Sequence, residues 1–150
     1  MQNQESNSAS TESSTAAESS TGNIEHSQKI ELAMAIMTTL DNWKLSGEEI
    51  LNVLALPDKI KVRHLGQFRK EHALPDTPEV NERIRHIIGI SKALRTSYPM
   101  NPQMATFWLN QKTKRFKNQT PIQVITTSGL QGLVDIRKHL DCTYDWFSDN

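Results

Sequence analysis

The 150-residue chain has a single cysteine, Cys142. One thiol excludes an intramolecular disulfide and any all-cysteine metal site. No apolar run approaches the roughly 18 residues that a bilayer-spanning helix needs. The first residues also lack the basic-then-apolar order of a secretion signal. These absences predict a soluble, cytoplasmic protein of a reducing compartment, with no membrane contact. Apolar residues are scarce too, at 36%, and aromatics make up 6%. A wholly globular chain approaches half apolar, so part of this one is expected not to fold. Net charge is absent as well, with 17 Lys and Arg against 17 Asp and Glu. Nothing in that balance marks a dedicated nucleic-acid binder.

The zero is a sum of unlike parts. Residues 1–26 carry Glu5, Glu12, Glu18 and Glu25 and no Lys or Arg. They are otherwise Ser, Thr, Asn, Gln and Ala, too polar to offset a backbone ordering cost of about 1–2 kcal/mol per residue. The segment is therefore expected to be a disordered acidic tail. It serves either to solubilise the chain, or as a charged lure or protease handle. The rest of the chain holds 17 basic and 13 acidic residues.

What remains reads as helices. Ile30, Ala33, Met34, Met37, Leu40 and Trp43 fall on one stripe of a 3.6-residue period, with Ser27 as N-cap. Ser46 and Glu49 form a capping box that starts a second helix, with Ile50, Leu51, Val53 and Leu54 inward. Pro57 ends it, and Asp58 is positioned to cap a third helix over 59–70 that turns Ile60, His64 or Leu65, and Phe68 inward. Thr77 before Pro78 opens the longest helix, with Val80, Ile84, Ile87, Ile88, Ser91 and Leu94 on its stripe. A short helix follows at Met104, Phe107 and Trp108, then a basic loop over 110–119. Thr120-Pro121 starts a helix that Gly129 breaks, and a last helix carries Leu130, Leu133, Val134, Ile136 and Leu140. Only Val124–Thr127 has any strand character. The fold class is all-α, in two helical units divided near Leu74–Thr77.

Little in this pattern points to catalysis. The histidines His26, His64, His72, His86 and His139 show no close pair of the kind that zinc helices use. His139 and Cys142 stand three apart without an orienting acid or oxyanion donor. No enzymatic activity, catalytic residue, metal or cofactor is expected. The cations say more. Lys59, Lys61, Arg63, Arg69 and Lys70 crowd the third helix, where a helix-turn-helix would place its recognition helix against DNA. A solvated helix face is the competing account. A second cationic run, Lys112-Thr113-Lys114-Arg115-Phe116-Lys117, is read as a loop anchored by Phe116 or as a partner-binding loop.

The second half carries a recognisable order. Arg85-His86-Ile87-Ile88-Gly89-Ile90-Ser91-Lys92-Ala93-Leu94-Arg95 precedes Tyr98-Pro99. Then come Trp108-Leu109-Asn110, Phe116, Thr120-Pro121-Ile122, Gly129-Leu130, and Leu133-Val134-Asp135-Ile136-Arg137-Lys138-His139-Leu140-Asp141. Over about residues 79–142 this resembles the toxin-binding domain of the Xre/MbcA/ParS antitoxin family. Between the acidic tail over 1–26 and a C-terminal tail over 146–150, the resemblance implies an Xre-like helix-turn-helix domain over 27–76 and a toxin-binding domain over 77–145. It also implies an antitoxin that dimerises, occludes the active site of a co-encoded toxin (usually an NAD-consuming RES-domain enzyme) and represses its own operator DNA. Trp108, Pro121, Leu133 and Leu140 match family positions that make sense as core. Arg137 and Lys138 match the charged part of the last-helix motif and are expected to face the toxin. The chain departs from the family in its lysine-rich 112–117 loop, where small glycines are usual. It also departs in Tyr144-Asp145-Trp146-Phe147, whose aromatics Tyr144, Trp146 and Phe147 are candidate toxin contacts. A free-standing helix-turn-helix regulator without a toxin is the alternative function.

Overall fold

The computed structural model describes residues 12–148, with side chains described over 22–141. Seven α-helices account for the regular structure among them: α1 (Glu12–Asn42), α2 (Gly47–Val53), α3 (Leu65–Phe68), α4 (Pro78–Ser97), α5 (Pro102–Leu109), α6 (Pro121–Ser128) and α7 (Leu130–Ser148). One isolated antiparallel bridge, Thr113 to Gln119, is the sole extended pairing described. The all-α expectation holds, and Val124–Thr127 is helical. No described helix is long and apolar enough to cross a membrane.

The helix starts follow local chemistry. The Ser46 hydroxyl accepts the Glu49 N–H at 3.2 Å, and the Glu49 carboxylate accepts the Ser46 N–H at 2.8 Å. Thr120 and Gln123 repeat this reciprocal box before α6. Thr77 caps α4 through the Val80 N–H, with Pro78 in the first turn. Each pairing satisfies donors that a helix N-terminus otherwise leaves unbonded. Gly129 ends α6 at φ 59°, in the left-handed half of the map that glycine enters without cost. Ser27 caps nothing. The stretch before it holds no proline, so α1 runs through Ser27 back to Glu12. Side chains 22–29 of α1 are all exposed, and its buried face begins at Ala33.

Two stripes sit roughly a tenth of a turn from where periodicity placed them. On α1 the buried set is Ala33, Ile36, Met37, Leu40 and Trp43, while Met34 is exposed. On α4 it is Val80, Ile84, Ile87, Ile90 and Leu94, while Ile88 is exposed. A helix rich in apolar side chains offers two acceptable phases, and the packing partner selects one.

A single cluster of buried side chains runs from Ile36 on α1 to Leu140 on α7. A stretch without helix over 72–77 separates the two halves along the chain, yet they share this cluster. α7 lies along α4 and against α6. Gly132 makes the second contact close, because a Cβ there would collide with the Val124 carbonyl and sit 3.0 Å from the Ile125 Cα. Arg83 ties the halves from outside. Its Nη1 donates to the carbonyls of Asn52 and Val53 at 3.4 and 3.3 Å, at the C-terminal end of α2.

Candidate partner-binding surfaces

The helix expected over 59–70 does not form as one element. Ile60 N–H donates to the Pro57 carbonyl in a turn, Lys61 is extended, and a 3-10 turn spans Val62–His64 before the four residues of α3. The reason lies in spacing. Ile60 packs against the core, and Leu65 and Phe68 are buried in it. Positions five apart point about 140° away from each other on a helix, so one continuous helix cannot bury both Ile60 and Leu65. The His64 ring holds the break, with its Nδ1 accepting the Lys61 N–H at 2.9 Å. Lys59, Lys61, Arg63, Arg69 and Lys70 are all exposed, but not along a recognition helix. Arg69 is committed elsewhere. Its Nε and Nη2 both donate to the Asp41 carboxylate at 2.9 Å, which raises the guanidinium pKa above its ordinary value.

Arg137 and Lys138 occupy different environments on α7. Lys138 is exposed. Arg137 lies across α4 at Gly89, where a Cβ would stand 2.5 Å from its Nε. The glycine is therefore a notch for the guanidinium. Arg137 Nη1 reaches His86 Nδ1 at 3.3 Å, and its Nε stands 3.9 Å from the Asp141 carboxylate. Burial, and then the charge of Arg137, lower the His86 pKa below its usual range. A neutral His86 ring offers Nδ1 as an acceptor to Arg137, which fixes the guanidinium without neutralising it. The Arg137 side chain keeps 37% of its surface, so it is presented and not hidden. The side chains of Tyr144, Trp146 and Phe147, like that of Cys142 and the first eleven residues of the tail, lie outside the described residues.

His139, to which the sequence assigned no role, is an aromatic joint. It stacks on Trp108 with ring centroids 5.9 Å apart and 4° between planes, and meets Phe116 edge-on at 5.4 Å. Burial, and then the charge of Arg115, lower its pKa. Trp108 thus anchors α5 to α7, and Phe116 pins the basic loop to the same ring.

A groove that the sequence did not announce lies between α1 and the α4–α5 corner. Its volume is about 1000 Å³, and Trp43, Lys44, Arg95, Tyr98 and Phe107 are in its lining. Phe107 keeps 58% of its surface exposed and Met100, in the α4–α5 turn, 93%. The available hint was the Met100–Phe107 run, which holds more large apolar side chains than a short helix can bury. No group of three or more His, Cys, Asp or Glu gathers as metal ligands among the described residues. No known family model matches the chain, and no curated protein matches it.

Proposed function

We propose that this chain is an antitoxin of a type II toxin–antitoxin system. It binds a co-encoded toxin, of the NAD-consuming RES type, and blocks its active site without doing chemistry of its own. What supports the reading is the ordered motif set of residues 79–142. Most of its members lie on α4 to α7, whose buried apolar residues belong to one cluster, with Leu133 and Leu140 buried and Trp108 packed against it. The face left open carries Arg137, seated in the Gly89 notch, and Lys138. Dimerisation and repression of its own operator in the cytoplasm complete the proposal. The free-standing helix-turn-helix regulator loses its main support, because 59–70 lacks a continuous recognition helix.

The test is co-expression with the product of the neighbouring reading frame. Growth is expected to be rescued, and the two proteins to co-purify. Arg137→Glu should weaken the complex at least tenfold while leaving helicity unchanged. Deleting residues 144–150 should weaken it as well, read by calorimetry. A chain that neither rescues growth nor co-purifies with that product is not an antitoxin for it.

A further inference from the structure

Charge along the chain is more segregated than its total suggests. From Arg83 to Val134 there is no Asp or Glu, while Arg83, Arg85, Lys92, Arg95, Lys112, Lys114, Arg115 and Lys117 are all present. The ion pairs among the described residues, Lys29–Asp76, Arg69–Asp41 and Arg137–Asp141, involve none of these eight. Half of them lie within six residues of one loop, and all four there are exposed.

That loop is closed tightly. Thr113 N–H donates to the Gln119 carbonyl at 3.2 Å, and Asn118 N–H donates back to the Thr113 carbonyl at 2.9 Å. A 3-10 turn over Lys114–Phe116 fills the space between them. The closure requires positive φ at Lys117 (57°) and Asn118 (64°). Left-handed backbone costs a side-chain-bearing residue roughly 1–2 kcal/mol, which glycine avoids. The position nonetheless carries lysine. Phe116, the loop's one apolar side chain, is turned inward against His139. The outward residues, Lys112, Lys114, Arg115, Lys117, Asn118 and Gln119, are all donors. Protein hot spots are enriched in Trp, Tyr and Arg, and of these the loop offers only Arg115. A phosphate backbone needs only cations and amide donors at short spacing.

We propose that the 112–119 loop is a sequence-independent binding site for the phosphate backbone of a nucleic acid, and that it, not residues 59–70, supplies the chain's non-specific contact with nucleic acid. This goes beyond the antitoxin reading and does not need the toxin.

The test uses the full-length chain and a fluorescein-labelled 30-base-pair duplex of random sequence, followed by anisotropy between 50 and 200 mM KCl. Four cations on four phosphates give a log–log salt slope of about −3.6, a fall in affinity of about 150-fold over that range. Lys114→Gln combined with Lys117→Gly removes two charges and relieves the positive φ, so the fold is retained, as circular dichroism will show. Its slope should drop to about −1.8, and its fall to about 12-fold. Lys59→Gln with Lys61→Gln should leave the slope unchanged. The proposal is overturned if the wild type does not bind, if the loop variant keeps the full slope, or if the 59/61 variant loses it. A loop variant that keeps its DNA affinity but no longer holds the toxin would make the loop a protein contact and equally overturn it.

Discussion

Gly89 and Gly132 show how one residue type answers two different demands. At Gly132 a Cβ would meet backbone, the Val124 carbonyl and the Ile125 Cα, which cannot yield without separating α6 from α7. Gly132→Ala should therefore cost about 1–3 kcal/mol in urea unfolding, as overpacking does. At Gly89 the obstacle is the end of a flexible arginine, which can swing away. Gly89→Ala should be neutral or gain up to about 1 kcal/mol from helix propensity, while displacing Arg137 from His86. Equal losses in the two variants would refute this geometry. The backbone that Gly132 admits lies seven and eight positions away in the chain, on the adjacent helix, whereas the Arg137 that Gly89 admits lies 48 positions away, so no local pattern announces it.

Caps set the helix starts independently of the core. The Ser46–Glu49 box opens α2, whose seven residues are too few to stand alone. Ser46→Ala removes the acceptor for the Glu49 N–H and should cost about 1 kcal/mol, lowering Tm by several degrees. An unchanged Tm would mean that burial of Ile50 and Val53 alone holds α2. Such signals span three or four residues, so the starts at Ser46, Thr77 and Thr120 and the stop at Gly129 could be read locally. The broken 59–70 segment could not. Each of its local features allows a helix, and the break answers to which of Ile60, Leu65 and Phe68 the core accepts.

Two histidines are expected to make stability depend on pH, and both touch α7: His139 belongs to it and His86 contacts its Arg137. Burial lowers both pKa values, with help from Arg137 and Arg115. In the unfolded chain they titrate near 6.5. As pH falls through that value the unfolded state takes up protons first, so stability is full above it and is lost below. Tm should fall between pH 7.5 and 5.5, and His139→Phe should make the fall shallower. A wild-type Tm that is level or rises on acidification would refute the role of both rings.

The sequence by itself determined the all-helical class, the caps at Ser46, Thr77 and Thr120, the stop at Gly129 and most of the buried residues, because these depend on neighbours three or four positions away. Only the tertiary structure decided the phase of α1 and α4, where Ile36 and Ile90 are buried in place of Met34 and Ile88. It alone paired Arg69 with Asp41 and His139 with Trp108, side chains 28 and 31 positions apart, since no local pattern encodes which distant surfaces meet. The same holds for the scarcities and the zero net charge. They were sums over the chain, whereas partner binding depends on where the charges lie. The fold leaves Lys112, Lys114, Arg115 and Lys117 exposed on one closed loop and commits Arg69 to an internal pair.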